Sequence, residues 1–133
     1  MSIREMIETH PQPTGVERDA LVECIDACFV CVATCTSCAD ACLAEPTVQE
    51  LLRCIRFDLD CADICDATGR VLTRQTATEP SLVASAVALC ADACRICAEE
   101  CERHAQHHEH CRICAEVCRR CEQACNDLLS RLG

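Results

Sequence analysis

The sequence predicts an all-α protein, an antiparallel up-down four-helix bundle with a Cys-lined core and a short extra N-terminal helix. Three observations carry that reading. Cysteines recur at steps of 3, 4 or 7 residues in four separate stretches, the spacing of a coiled-coil seam. Only three Gly and four Pro occur among 133 residues, which leaves room for long unbroken helices. Helix-start signals and short linkers fall where the Cys seams stop, and short linkers force neighbouring helices to run antiparallel.

Ser2 to Thr9 predicts a short helix stopped by Pro11, with Ile3, Met6 and Ile7 as its packing residues; residues 1–13 form an arm and 14–133 the bundle. Thr14 with Glu17 reads as a capping box that opens a first long helix over 14–44, ended by Pro46. It carries Cys24, Cys28, Cys31, Cys35, Cys38 and Cys42. Thr47 with Glu50 reads as a second capping box, opening a helix over 47–75 with Cys54, Cys61 and Cys65. Here Asp58 takes the seam position between Cys54 and Cys61. Pro80 and Ser81 start a third helix, 81–105, with Cys90, Cys94, Cys97 and Cys101. The last helix, 109–132, carries Cys111, Cys114, Cys118, Cys121 and Cys125, and completes the count of 18.

Half the residues are hydrophobic when Cys is counted, but Trp and Tyr are absent and Phe occurs twice. The thiols must therefore fill the core themselves. A net charge of −10 argues against nucleic acid, whose phosphates need clustered Lys and Arg. The acidic residues interleave with Arg as on a solvated helical exterior. The opening MSIREMIETHP has no apolar signal core, and no run approaches the ~18 apolar residues of a membrane span. The expectation is a soluble cytoplasmic protein with no membrane partner.

Extending the seams beyond the cysteines distinguishes the two ends. One end continues into Leu21, Thr68, Leu72, Val83, Val87, Leu128 and Leu132, an apolar plug. The other continues into Glu45, Leu51, His104, His107 and His108, with His110 alongside. The bundle thus reads as a tube, closed at one end and gated at the other. His104 and His108 lie on the extended seam and are the favoured access residues; His107 and His110 are weaker candidates and His10 reads as a surface residue.

A free thiol behaves as a small hydrophobe, which explains a few buried Cys but not 18 in register. Side chains at i and i+4 of one helix do not readily meet disulfide geometry, although bridges between helices remain an alternative. Soft thiolates suit Cu(I), Zn(II) or iron–sulfur clusters. Iron–sulfur clusters use loop motifs of four Cys, and structural zinc uses discrete sets of four ligands. An uninterrupted ladder suits Cu(I), which accepts two or three bridging sulfurs, at about one ion per Cys by ligand counting. Each Cu(I) replaces about one proton, so filling leaves the core near neutral. Asp58 is a hard ligand, and a hydrogen bond to a neighbouring thiol is an equal reading. A Zn/Cd thiolate buffer and a cysteine-based redox protein are the alternatives, although a redox CxxC normally opens a helix and these lie within helices.

The stretches CIDACFVCVATCTSCADAC, CADACRICAEEC and CRICAEVCRRCEQAC resemble the Cys-rich repeats of the bacterial copper storage proteins. The resemblance spans roughly residues 20–130 and weakens in the second long helix, which has only three Cys. It implies a four-helix bundle that holds many Cu(I) ions, with the 18 cysteines as ligands and the His cluster at the mouth where copper passes. Without a signal peptide the chain resembles the cytosolic branch, which implies a homotetramer.

No catalytic order, phosphate loop or acid–base pair stands out, so the sequence predicts no enzyme. Phe29, Val30, Leu52 and Leu59 fall on outward positions of the first two long helices and suggest subunit contact. The alternative is that the N-terminal segment covers them. The outer positions of the other two helices read as mainly charged.

Overall fold

The computed structural model describes residues 2–132. Its helices are α1 (Ile3–Glu8), α2 (Arg18–Ala44), α3 (Leu52–Thr73), α4 (Pro80–His104) and α5 (Glu109–Leu132), with a 3₁₀ turn at Val48–Glu50. The second helix packs on α3 and α5, and α4 packs on the same two, so the four long helices form a square ring. No strand occurs among the described residues.

The helix starts differ from the sequence expectation for local reasons. The Thr14 hydroxyl donates to the Val16 carbonyl instead of capping. Glu17 is the N-cap of α2, its carboxylate accepting from Asp19 N at 2.9 Å and Ala20 N at 2.7 Å. A carboxylate there also faces the positive end of the helix dipole. Thr47 makes no side-chain cap; the chain first tightens into the 3₁₀ turn, and α3 begins only at Leu52. Its end is at Thr73, two residues short of the sequence expectation. Glu79 caps α4, with Pro80 at the first position where its missing N–H costs nothing. In the arm, Ser2 caps α1 and Ile7 is buried, whereas Met6 is exposed and does not pack as the sequence suggested.

Between helices, the surface is laced with Arg pairs. Arg119 bridges α5 to Glu102 of α4, and Arg120 bridges α5 to Glu23 and Asp26 of α2. Such exposed pairs contribute only about 0–1 kcal/mol each, so the buried seam supplies most of the adhesion.

Two helices, Arg18–Ala44 and Pro80–His104, are long and apolar enough by composition to cross a membrane. That departs from the expectation that no run would qualify. Their apolarity is largely Cys and Ala; the cysteines of both face the interior of the bundle, while Leu82, Leu89 and Ile96 of α4 are exposed. The outer surface also departs from expectation on α4 and α5, where those three side chains and Ile113 interrupt the charge. The arm leaves Phe29, Val30, Leu52 and Leu59 exposed.

Candidate metal centre

The four seams converge on one axis. All 18 cysteines are free thiols and none is more than 2% exposed. Sulfur atoms on different helices approach to van der Waals distance along the whole tube. Cys24 meets Cys125 at 3.7 Å near the plug, Cys35 meets Cys118 at 3.5 Å midway, and Cys54 meets Cys101 at 3.7 Å near the mouth. Between these lie further contacts, such as Cys65 to both Cys90 and Cys94 at 3.6 Å. The 3/4 spacing explains this: successive seam residues advance by about one turn, so sulfurs stack in layers.

Several layers form sets of four sulfurs within 4.8 Å of one another. They include Cys28, Cys90, Cys121 and Cys125; Cys31, Cys35, Cys61 and Cys118; and Cys38, Cys42, Cys54 and Cys111. Adjacent layers share members: Cys35 and Cys118 also stand with Cys97 and Cys114. The deeper sets therefore run into one another, and Asp58 joins them to the mouth set through Cys97, Cys114 and Cys54. Burial disfavours bare thiolates, and pushes Cys42 up to about 12. Without metal the column is held mainly as thiols.

Asp58 is fully buried and sits within the column. Its Oδ1 accepts from the thiols of Cys97 at 3.1 Å, Cys114 at 3.3 Å and Cys101 at 3.5 Å, with Cys54 at 3.9 Å from Oδ2. Burial, followed by the neighbouring Cys114 and Cys54, pushes its carboxyl up to about 8. Asp58 is thus a buried hydrogen-bond acceptor among four thiols, the geometry of the hydrogen-bond reading that the sequence offered beside the ligand one.

The mouth is arranged by carboxylates. His104 Nε2 lies 2.9 Å from Glu100, a buried carboxylate also paired with Arg53 at 3.3 Å. His108 Nδ1 lies 3.0 Å from Glu45. His110 binds the same Glu45 oxygen through Nε2 at 2.9 Å and turns Nδ1 toward Cys38 at 3.5 Å, Cys111 at 3.6 Å and Cys42 at 4.0 Å. Hydrogen bonding to His110, with a further contribution from His108, holds the Glu45 carboxyl below its usual range. His107 is exposed. The histidine in direct contact with thiols is therefore His110, which the sequence ranked below His104 and His108. The seam extension ran straight through residues 105–108, but the chain turns there; α5 begins at Glu109 and puts His110 in its first turn.

At the opposite end Leu21, Leu72, Val87 and Leu128 are buried, with Thr68 bonded to the Ala86 carbonyl; Val83 and Leu132 are half-buried. These side chains close the tube below Cys24 and Cys125.

A helical bundle whose interior is a column of thiols, dry and closed at one end, defines a thiolate-based metal-holding protein. The family model described as copper storage protein matches residues 17–130, and the chain belongs to that family. It is similar to the copper storage protein Ccsp of Streptomyces lividans loaded with 10 copper equivalents, at 49% identity and TM-score 0.96, over 98% of this chain and 99% of that one. Another structure of the Streptomyces protein, with five coppers, is described as cytosolic; it is 53% identical over 86% of this chain and 96% of that one, TM-score 0.85. Cu(I)-bound BsCsp3 is 38% identical over 80% of this chain and 94% of its own, TM-score 0.71. An uncharacterized cysteine-rich protein, YhjQ, of Bacillus subtilis (strain 168) matches at 48% identity over 42 residues, 32% of this chain and 39% of the relative's length.

Proposed function

We propose that this chain stores Cu(I) in the cytoplasm, with the 18 seam cysteines as ligands and a capacity of about 18 ions by soft-ligand counting. The observation that carries this reading is the column of buried thiols contributed by all four long helices, with sulfur contacts of 3.5–4.0 Å through its middle and Asp58 bonded to Cys54, Cys97, Cys101 and Cys114 toward the mouth. An ion that needs only two or three bridging sulfurs can occupy such a column throughout. Each Cu(I) displaces about one thiol proton, so the core charge hardly changes as the column fills.

The extensive packing of the four long helices along their buried seams supports one fold for the empty and loaded states, unlike a zinc finger that folds on its ion. His110 supports a handover at the mouth, where a neutral imidazole would pass an ion to Cys38, Cys42 or Cys111. His104 and His108 extend that mouth. Asp58 accepts hydrogen bonds from neighbouring thiols, which holds their protons in the empty column, and it need not bind copper itself. Burial of every thiol leaves no surface at which a protein disulfide could exchange, which weighs against a redox catalyst. The exposed Phe29, Val30, Leu52 and Leu59 support association into a homo-oligomer, a tetramer by resemblance to the cytosolic branch.

The test is anaerobic titration of the reduced chain with Cu(I) against a chromophoric chelator, with helicity followed by circular dichroism. Binding of about 15–20 ions per chain with little change in helicity is expected from ligand counting. Saturation near four ions, or a large gain of helix, would defeat the storage reading.

A further inference from the structure

We infer that the empty chain also binds one borderline-soft divalent d¹⁰ ion, Zn(II), at the mouth tetrad Cys38, Cys42, Cys54 and Cys111. This goes beyond Cu(I) storage and does not depend on it. The four sulfurs lie within 4.8 Å of one another and all four residues are buried. In a tetrahedral Zn(Cys)₄ site with Zn–S bonds of about 2.3 Å, sulfur atoms stand about 3.8 Å apart. The tetrad therefore needs only a modest contraction, and three of the long helices already present its ligands.

Charge selects this tetrad over the deeper ones. One Zn(II) replacing four thiol protons leaves a site of charge −2, and burying it costs several kcal/mol per uncompensated ion in a dry core. Around Cys28, Cys90, Cys121 and Cys125 the further sulfur contacts are to other buried thiols, Cys24 and Cys65. The mouth tetrad instead lies at the half-buried rim beside His104, His108 and His110, where solvent screens its charge better than in the deeper layers. The nearest carboxyl groups are Glu45, occupied by two histidines, and Asp58, which reaches Cys54 at 3.9 Å. Filling two neighbouring tetrads would place two such anions a few ångströms apart, which opposes a second ion. Cu(I) escapes this limit because it binds with fewer thiolates per charge. A single zinc would thus occupy the way in, and copper would enter by displacing it.

The experiment titrates the reduced full-length chain with Co(II), then Zn(II). About one Co(II) per chain is expected, with the visible bands of tetrahedral thiolate cobalt, displaced one-for-one by Zn(II). In the unaltered chain, bound Co(II) should shift the ring protons of His108 and His110 and spare the methyls of Leu21 and Leu128. The Cys42→Ala/Cys111→Ala variant should lose affinity by more than about 100-fold, beyond the 10–100-fold cost of removing an outer-shell partner. Cys28→Ala/Cys125→Ala should retain it within about threefold, since its tetrad is at the other end. Absence of bound Co(II), two or more ions per chain, or a perturbation centred on Leu21 and Leu128 would overturn the inference. Each of those results leaves the Cu(I) capacity to be read independently, so the two proposals fail separately.

Discussion

His110 places Nδ1 3.5 Å from the sulfur of Cys38 and turns its other nitrogen away, to Glu45 at 2.9 Å. A carboxylate only accepts hydrogen bonds, so in the neutral ring Nε2 carries the hydrogen and Nδ1 faces the thiols with a lone pair. His104 uses Nε2 and His108 uses Nδ1 for their carboxylates, and neither is hydrogen-bonded to a thiol. The geometry makes His110 the imidazole best placed to pass an ion inward.

Replacing His110 by Ala is therefore expected to slow Cu(I) uptake about 10–100-fold, the scale of losing a supporting group at a metal site, with final capacity nearly unchanged. A His104→Ala/His108→Ala variant should also slow transfer, but less. Stopped-flow transfer from a chromophoric Cu(I) chelate measures both. Unchanged rates in every variant would reduce the histidines to parts of the loop.

Asp58 gives the empty chain a pH dependence. Its folded value of about 8 lies above the ordinary aspartate value of about 3.9. The folded state thus holds the proton more tightly than the unfolded state. Asp58 costs no stability below about pH 4, costs progressively more as pH rises toward 8, and levels off above that. Asp58→Asn is expected to stabilise the reduced, metal-free chain by a few kcal/mol at pH 8 and by little at pH 4. Urea melts at the two pH values decide it. An equal effect at both would mean that the carboxyl does not titrate across this range.

Much of this was legible in the sequence because a seam of one residue type at 3- and 4-residue steps fixes helix, face and register together. Cys24 through Cys125 could be placed in the core without any other information. Helix starts were less legible. A Thr three residues before a Glu is a capping box only if the backbone turns at the Thr, and here Thr14 bonds forward to Val16 while Glu17 caps α2 itself. His110 was underrated because it flanks the seam residue Cys111; being one position off a stripe hides a side chain that a turn and a carboxylate aim inward. Glu100 gave no usable signal, since its burial depends on Arg53 and His104 from two directions.

Gly69 lies beneath Phe29, and a Cβ there would stand 2.9 Å from Cζ of the ring. Gly in a helix costs about 1 kcal/mol relative to Ala, so the substitution trades that gain against displacing the ring. Phe29 is 38% exposed and can move outward. Gly69→Ala alone is expected to change stability little, while in a Phe29→Ala background it should stabilise by about 1 kcal/mol. Thermal melts of the four chains complete the cycle. The same gain in both backgrounds would show that the ring does not press on α3.

The last expectation separates the plug from the column. Leu128 is fully buried beside Leu21 and Leu72, one turn beyond Cys125. Leu128 already lines a cavity of about 220 Å³ with Leu21, Leu72, Val83 and Leu132, and truncation to Ala removes three carbons and enlarges it, which typically costs about 2–5 kcal/mol. No thiol is touched, so Cu(I) capacity should stay at the unaltered value while the melting temperature of the empty chain falls. Loading should then recover much of the loss, because copper bound only by the folded state stabilises it in proportion to its affinity. The variant also tests the polarity of the tube: with the plug weakened, Cu(I) removal by a chelator should accelerate if ions can leave beside Cys24 and Cys125. A drop in capacity with unaltered stability would instead mean that Leu128 borders a binding layer and that the closed end is not where the side chains place it.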